Sequence, residues 1–452
     1  MLELHTVGHQ ILDASNKPFP FRGIGRLGDM EYLGGIWAKQ GEHPYNTGYQ
    51  WLRNGSLTLA QQGDIMDINF DCWRDVWKTN TLRVFVPVEW WWKDQINCNL
   101  YPYGPNLVIS ERDYFEVLAQ RALAKGFYIN FCPFDLRCYF SGIGSNISSG
   151  FPGNLTTAGR TWLTQNIHTD EMQAWRLWWT SVVERLGKYP NVIWEMWNEP
   201  NDGNSDNTAM RTNWFNYCVE MYKTIRNLGN QNLIFTQWQM NAVPGYKEQL
   251  TWIPVIHNML RNAIGGEPVN QVYTTHGYRY SWNRAWKLTE SEILAQMNMS
   301  SMVPQSRSNG IDVPLVDNEC GCGLDLSGQA LTDELNWFRA LIRVSNSLDI
   351  GFMTLFWANY GWAPVENLIQ AGQIWSIGAS SPPPSSYGQI YIDNAPDITP
   401  TVPLTIDAVN EDTDQSIAVP LTVDGVAVGT TPGPVYVTPG PHTISVPPEV
   451  DV

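Results

Sequence analysis

Short apolar runs alternate with segments of helical periodicity along most of this 452-residue chain. An apolar run bounded by turn residues predicts a buried strand, and apolar positions at every third or fourth residue predict a helix. Strands that alternate with helices form parallel sheets. We therefore predict a parallel α/β fold from eight candidate strands: Phe21–Gly25, Thr81–Pro87, Phe127–Phe131, Asn191–Met196, Leu233–Gln237, Gln271–Thr275, Val313–Asn318 and Gly351–Trp357.

The segments between the predicted strands have unequal lengths. Connections from a helix to the next strand are short, whereas those from a strand to the next helix are long, at roughly residues 26–63, 88–110 and 132–169. In a (β/α)8 barrel the strand-to-helix loops form the active face. We therefore predict an α/β chain with a (β/α)8 TIM barrel and an elaborated cleft. Its predicted helices include Glu111–Lys125, Glu171–Lys188, Met210–Leu228 and Thr332–Ser347.

The composition changes at both ends of the predicted barrel. Residues 1–22 alternate and turn like a β-hairpin, which would cover the bottom of the barrel. Residues 379–401 are rich in Pro and Ser, which predicts a linker. Residues 402–452 are rich in Val, Thr, Pro and Gly, which predicts a small C-terminal all-β module. The expected units are thus a catalytic barrel with its hairpin over residues 1–378, the linker, and the module.

Composition and charge exclude several classes of partner. The chain is 43% hydrophobic and 16% charged, as expected of a globular protein, and it contains no apolar run long enough to cross a membrane. Its net charge of −16 would repel nucleic acid and anionic membranes, so we expect neither as a partner. Seven cysteines match no zinc template, and we expect no metal and no cofactor. We also expect an extracellular protein from which a signal peptide has been removed.

Two of the predicted strands lead to a glutamate. The run Val192–Trp194 leads to Glu199, and Pro200, which lacks an amide hydrogen, must end the strand. The run Val313–Val316 leads in the same way to Glu319. A carboxylate after an apolar strand is costly to bury without a function. Two carboxylates about 5 Å apart cannot both ionise cheaply, so one pKa rises and the pair divides into acid and base. Such a pair is the minimum equipment for hydrolysing a glycosidic bond.

The chain also holds 22 Trp and 19 Tyr. We expect most of them in the core, because large aromatic side chains bury the most apolar surface. Those in the long strand-to-helix loops have a second interpretation, since an aromatic ring is a platform on which a sugar stacks. We expect some of the loop aromatics to serve in this way: Trp37, Tyr45, Tyr49, Trp51, Trp90, Trp91, Trp92, Tyr101, Tyr103 and Trp162.

Three short motifs, Phe21-Arg-Gly-Ile-Gly25, Trp197-Asn-Glu-Pro200 and Asp317-Asn-Glu319, together resemble glycoside hydrolase family 5 of clan A. The resemblance covers about residues 2–378. It implies a retaining glycosidase that hydrolyses a β-1,4-linked polysaccharide or oligosaccharide by double displacement. By position, Glu199 matches the acid/base after the fourth strand, and Glu319 matches the nucleophile after the seventh.

The resemblance also implies five substrate-binding residues. Arg83 matches the strand-two arginine that hydrogen-bonds the nucleophile, and Asn198 matches the asparagine that holds the sugar 2-hydroxyl. His276 and Tyr278 match the histidine and tyrosine after strand six. Trp357 matches the strand-eight tryptophan beneath the −1 sugar.

One position departs from the family pattern. The family usually has a histidine at the end of strand three, where this chain has Cys132, Phe134 or Asp135. The departure concerns contacts to the sugar and leaves the carboxylate pair intact. At the other end of the chain, Val419–Pro447 is similar to PEGA-type β-modules.

The sequence does not specify which glycan is the substrate. An endo-acting enzyme on cellulose or another β-glucan is the first hypothesis, and a β-mannanase or an exo-acting β-mannosidase or β-glucosidase is the alternative. A hypothesis of another class is a non-catalytic, carbohydrate-binding barrel. The presence of the full set of matched residues argues against it, because binding alone does not need both glutamates.

Overall fold

The computed structural model describes residues 3–26, 59–87, 91, 96–97, 108–134, 169–198, 208–237, 253–278, 289–293, 311–321, 326–355 and 384–394, and the backbone of short strands between 402 and 445. Twelve strands lie in the described ranges before residue 356: β1 (His5–Val7), β2 (Gln10–Leu12), β3 (Arg22–Arg26), β4 (Thr81–Pro87), β5 (Ile96–Asn97), β6 (Val108–Ile109), β7 (Tyr128–Phe134), β8 (Val192–Glu195), β9 (Ile234–Gln237), β10 (Gln271–Tyr278), β11 (Leu315–Gly321) and β12 (Gly351–Leu355).

Strands β3, β4 and β7 to β12 form a closed barrel, in which each strand pairs in parallel with the next. All eight barrel strands coincide with the eight predicted from the apolar runs, to within a few residues at their ends. The predicted (β/α)8 fold is therefore confirmed. The described helices are α1 (Leu59–Asp75), α2 (Glu111–Ala124), α3 (Thr169–Leu186), α4 (Thr208–Asn227), α5 (Ile253–Ile264), α6 (Gly328–Ser347) and α7 (Ser386–Asp393). No helix in these ranges is long and apolar enough to span a membrane.

The helices begin and end where local chemistry requires it. Helix α2 follows Ser110, whose Oγ accepts a hydrogen bond from the Asp113 amide at 3.1 Å and so satisfies one of the free N–H groups of the first turn. It is followed by Gly126, which has a φ of +78°. Only glycine adopts that left-handed conformation without a steric cost. Such an ending turns the chain sharply back into the next barrel strand.

A layer of aromatic rings, in tilted and edge-to-face contacts, joins the barrel to its helices. Trp178 and Trp179 of α3 are fully buried against β7 and β8. The ring centroids of Trp178 and Phe131 are 6.2 Å apart, and those of Trp179 and Trp194 are 6.1 Å apart. Trp91, one of the loop aromatics expected as a sugar platform, is fully buried in this layer, 5.7 Å from Phe131. Trp91 is therefore a core residue and is not one of the loop aromatics that could serve as a sugar platform.

The N-terminal hairpin pairs β1 with β2 in antiparallel register. Leu4 and Ile11 from this hairpin are buried in a cluster with residues from the amino-terminal ends of the barrel strands, including Phe21, Tyr128 and Val272. The hairpin thus packs on the amino-terminal end of the barrel, opposite the end that carries the site described below.

Helix α7 lies inside residues 379–401, which the sequence predicts as a linker. Ser385 caps the helix by accepting a hydrogen bond from the Gly388 amide at 3.0 Å. Tyr387 and Tyr391 are fully buried, and their hydroxyls bond backbone carbonyls of the barrel strands. Part of the predicted linker is therefore a helix that packs on the barrel. The helix has only eight residues and follows a run of prolines. The composition of the whole segment is therefore dominated by Pro and Ser, which conceals the helix.

The described strands beyond residue 400 pair in antiparallel register: β13 with β18, β14 with β15, and β16 with both β17 and β19. Their similarity to PEGA-type modules stays a prediction. The bounds are β13 (Val402–Ile406), β14 (Ala408–Val409), β15 (Ser416–Ile417), β16 (Pro420–Val423), β17 (Val426–Thr430), β18 (Gly433–Val437) and β19 (Ile444–Ser445).

Candidate active site

Arg83, in the middle of β4, is fully buried inside the barrel and connects two glutamates. Its Nη1 donates to Oε2 of Glu319 at 2.6 Å. Its opposite edge is bonded to Glu195, from Nε to Oε2 at 2.8 Å and from Nη2 to Oε1 at 2.6 Å. Nη2 also donates to Oδ1 of Asn198 at 2.9 Å. One planar guanidinium therefore fixes the positions of residues from β8, from the loop after β8, and from β11.

The buried charge of Arg83 is compensated by two carboxylates, those of Glu195 and Glu319. Burial acts to lower the pKa of Arg83, but the adjacent charge of Glu195 and then that of Glu319 outweigh it and raise this pKa well above its usual value. The carboxylate of Glu195, which is fully buried, also accepts from Nδ2 of Asn130 at 2.8 Å. Removing one partner of such a cluster leaves an uncompensated buried charge and costs about 3–5 kcal/mol.

A β-bulge in β11 sets the direction of Glu319. Along the pairing with β10, Thr275 lies opposite Asp317 and His276 lies opposite Glu319, so Asn318 is an extra residue in β11. A bulge of this kind re-aims the side chains beside it. Oε1 of Glu319 lies 3.5 Å from Nδ1 of His276, while Oε2 accepts from Arg83. Glu319 is 6% exposed, so its carboxylate is held by protein groups and the residue keeps a small accessible surface.

Asp317 is a second carboxyl group beside the nucleophile candidate, and it is fully buried. Its Oδ1 accepts from the Gly277 amide at 2.9 Å. A Cβ atom on Gly277 would lie 2.2 Å from Oδ2 of Asp317, which explains why glycine stands between His276 and Tyr278. Burial raises the pKa of Asp317 well above its usual value, and the charge of Glu319 adds to the effect. Asp317, at the start of the bulge, thus holds its proton more tightly than an ordinary aspartate does.

Strand β7 brings Cys132 into the cluster at the place where the resemblance leads one to expect a histidine. Nη2 of Arg83 lies 3.5 Å from the Cys132 Sγ. Burial raises the pKa of this thiol well above its usual value, and the charge of Glu195 raises it further. Cys132 is therefore a neutral, weak hydrogen-bond partner. Of the other two residues named for this position, Asp135 lies outside the described residues, and Phe134 is described only as backbone.

The structure brings four of the seven predicted site residues together: Arg83, Asn198, His276 and Glu319. Glu199 and Trp357 lie outside the described residues. Tyr278 ends β10, and only its backbone belongs to the described part. Glu199 follows Asn198 directly in the chain, so the contact between Asn198 and Arg83 fixes the residue from which Glu199 extends.

Two acidic residues of the cluster, Glu195 and Asp317, were not predicted as site residues. Each stands in or directly after an apolar strand run, in Val192-Ile-Trp-Glu195 and in Leu315-Val-Asp317. Glu199 and Glu319 were identified because a carboxylate is costly to bury without a function, and the same holds for Glu195 and Asp317. The signal was present in the sequence, but it does not tell which carboxylate reacts and which one supports its neighbours.

The cluster holds the Glu319 carboxylate against the Arg83 guanidinium inside the barrel. With Oε2 bonded to Arg83 and Oε1 beside His276, the carboxylate has a fixed direction, as a nucleophile requires. Within the described ranges, no group of three or more His, Cys, Asp or Glu side chains has the arrangement of a metal site. A carboxylate held in this way can act as a nucleophile.

Comparison with known proteins agrees with this picture. Residues 154–361, which include β8 to β12, match the model of a family described as Cellulase (glycosyl hydrolase family 5). No curated protein matches the chain by sequence. The catalytic domain of a mannanase from Streptomyces sp. SirexAA-E is similar in structure, with 14% identity, a TM-score of 0.50, and coverage of 87% of this chain and 90% of the mannanase chain.

A β-glucanase from Saccharophagus degradans, solved in complex with cellotetraose, is similar to the same degree. It has 13% identity and a TM-score of 0.50, and the match covers 86% of this chain and 92% of the glucanase chain. At these identities the likeness concerns the fold, which is the barrel found here.

Proposed function

We propose that this glycoside hydrolase is a retaining endo-β-glycosidase that cleaves β-1,4-linked polysaccharides of the cellulose or β-glucan type by double displacement. That it is a glycoside hydrolase rests on the family match over residues 154–361. The observation that carries the finer proposal is the 2.6 Å contact between Arg83 and Glu319 inside the barrel. It supplies an ionised and oriented carboxylate, which a retaining enzyme uses as its nucleophile.

In the first step a Glu319 oxygen forms a bond to the anomeric carbon, and the bond from that carbon to the glycosidic oxygen breaks. Glu199 donates its proton to the leaving oxygen. In the second step Glu199 takes a proton from water, the water oxygen attacks the same carbon, and the bond to Glu319 breaks. Glu319 recovers its charge and Glu199 its proton, so the enzyme is unchanged and the product keeps the β configuration.

Three groups around Glu319 assist these steps. Arg83 stabilises the carboxylate before attack and again as it leaves. His276 flanks the other carboxylate oxygen at 3.5 Å, which restricts rotation of the side chain. Asn198 bonds Arg83 through its Oδ1, so its amide nitrogen stays available to the 2-hydroxyl of the sugar.

The substrate class is proposed from two structural neighbours and from the length of the loops. One structural neighbour is a mannanase and the other is a β-glucanase solved with cellotetraose. Both names point to a β-glycan, and a β-mannan is the second candidate. The long strand-to-helix loops favour a polymer over a small glycoside, because they extend the active face.

A hydrolysis panel tests this proposal. The full chain is incubated with β-1,4-glucan, mixed-linkage glucan, mannan and xylan, product lengths are resolved by chromatography, and the anomer formed first is followed by proton NMR. We expect internal cleavage of β-glucan into mixed oligomers, with the β-anomer formed first. A Glu319→Gln variant should be inactive, while Glu184→Gln, on the exposed face of α3, should match the parent. Release of a single sugar from chain ends, or initial formation of the α-anomer, would contradict the proposal.

A further inference from the structure

Tyr387 of helix α7 bonds the carboxyl-terminal ends of the two barrel strands next to the candidate nucleophile. Its hydroxyl lies 3.1 Å from the backbone oxygen of Cys320 and 2.9 Å from that of Leu355. Cys320 directly follows Glu319 on β11, and Leu355 is the last residue of β12. A single hydroxyl hydrogen is therefore shared between two carbonyls of adjacent strands.

The hydroxyl of Tyr387 bonds these strands at the place where their own pairing is interrupted. Strands β11 and β12 pair at Asp317 with Phe352 and next at Cys320 with Thr354, so the bulge interrupts the register between these pairs. The extra residue of a bulge has no partner in the ladder, and the local hydrogen bonding is disrupted. The segment that carries Glu319 thus has fewer backbone bonds to β12 than a regular strand would have.

The ring of Tyr387 is held in a fixed place. It is fully buried, and it packs edge-to-face on Phe338 of α6 with ring centroids 4.5 Å apart. The Ser385 cap fixes the start of the helix from which Tyr387 extends. The hydroxyl therefore has little freedom to leave the two carbonyls.

From these contacts we infer that Tyr387 is a positioning residue for catalysis, which holds the bulged end of β11 so that Glu319 points at the anomeric carbon. This inference rests on the proposed role of Glu319 as nucleophile. It assigns a function to a helix that lies in the predicted linker, outside the residues that the family resemblance supplies.

The same helix provides a matched control. Tyr391 lies one turn further on and is also fully buried. Its hydroxyl bonds the Gly23 carbonyl and the Thr79 hydroxyl, both at 3.1 Å, at the amino-terminal end of the barrel. Tyr387→Phe and Tyr391→Phe each remove one buried hydroxyl from α7. The first substitution removes hydrogen bonds to the carboxyl-terminal end of the barrel, and the second removes hydrogen bonds to the amino-terminal end.

We expect both variants to lower Tm by about 1–3 °C, as the loss of one buried hydrogen bond does. Only Tyr387→Phe should lower kcat/KM, by about tenfold or more, on an aryl β-glycoside with an acidic phenol, since a small misplacement of a reacting group has that effect. With such a leaving group the acid Glu199 contributes little, so the rate reports attack by Glu319.

Amide hydrogen exchange supplies a readout that needs no activity. Tyr387→Phe should raise exchange in residues 319–321 and 353–355, and Tyr391→Phe should leave both segments unchanged. Equal effects of the two variants on kcat/KM and on exchange at these strand ends would overturn the inference. If the parent protein cleaved no β-glycoside, the proposed function would fail, while the exchange comparison would still decide whether Tyr387 holds the end of β11.

Discussion

Arg83 and Glu319 face each other across the interior of the barrel, and a 2.6 Å hydrogen bond joins Nη1 to Oε2. They are more than 230 residues apart in the chain, so only the closed barrel brings them together. The guanidinium does not serve Glu319 alone, because its other edge carries two bonds to Glu195. The charge of the candidate nucleophile thus depends on how Arg83 is shared between two carboxylates.

Replacing Glu195 with glutamine tests this sharing. In Glu195→Gln the guanidinium is attracted by Glu319 alone, and a repelling negative charge near Glu319 is lost. Both effects favour the ionised form of Glu319 over its protonated form. We expect the acidic limb of the kcat/KM profile, which reports the free enzyme, to move to lower pH. We also expect kcat/KM at its optimum to fall by about tenfold or more, because Arg83 loses a charged partner that orients it.

The matched control for this change is Glu184→Gln, which removes a carboxylate from the exposed face of α3. It should alter neither the pH profile nor the rate. An acidic limb that stayed in place in a folded Glu195→Gln protein would mean that Glu195 does not share Arg83 with the nucleophile. Circular dichroism of both variants establishes that they are folded.

Asp317 gives a pH dependence of stability with a definite sign. Burial raises its pKa in the folded state, whereas an aspartate in the unfolded chain titrates near pH 3.9. The folded state therefore holds this proton more tightly. The stability that the proton contributes is fully present below the unfolded pKa, and it is lost as the pH rises towards the folded pKa. Asparagine stays neutral at every pH, so Asp317→Asn should gain in Tm over the parent as the pH rises from 4 to 8.

Thermal melts of both proteins across that range measure the difference. The exposed Asp75→Asn variant at the end of α1 should show no comparable rise. A parent protein that instead gained stability relative to Asp317→Asn with rising pH would show that Asp317 is ionised in the folded state.

Two truncations test where the barrel unit ends. A chain that stops at residue 379 lacks α7 and the buried rings of Tyr387 and Tyr391. Loss of two buried tyrosines from the barrel surface removes about 3 kcal/mol or more. We expect that chain to be unfolded or strongly destabilised. A chain that stops at residue 398 keeps α7, and it should fold and retain activity on soluble β-glucan.

Both truncated proteins lack the strands beyond residue 400, so they differ only in α7 and its flanks. Equal Tm and activity for the two chains would place the boundary before α7, as the sequence composition suggests. Inactivity of the longer chain would mean that the C-terminal strands contribute to the barrel.

The fold was readable from the sequence because apolar runs and helical periodicity are local signals. All eight barrel strands lay where those runs predicted them, since a strand covered on both faces has a nearly continuous apolar sequence. Helix α7 was not predicted, because it has eight residues beside a Pro-rich run and is stabilised by burying Tyr387 and Tyr391 against the barrel. Tertiary packing of this kind leaves little trace in composition.

The candidate site was readable only in part. Arg83 and Glu319 were identified through motifs, and their direct contact agrees with the expected pairing. The role of Glu195 depends on which carboxylate lies within reach of the guanidinium, which the sequence alone does not specify. The bulge at Asn318 is likewise a feature of strand pairing, and it becomes visible only when β10 and β11 are aligned in space.

In the proposed mechanism Glu319 attacks the anomeric carbon, and Glu199 donates and accepts the protons. The most direct test is the anomeric configuration of the glycosyl azides that two variants form from an activated aryl β-glycoside, determined by proton NMR. Glu199→Ala keeps its nucleophile, so it should form the glycosyl-enzyme, stall, and with azide release the β-glycosyl azide. Glu319→Ala leaves a space in which azide attacks the anomeric carbon directly, so it should release the α-glycosyl azide. An exchange of the two configurations, or turnover of Glu319→Ala at the parent rate without azide, would show that Glu319 is not the nucleophile.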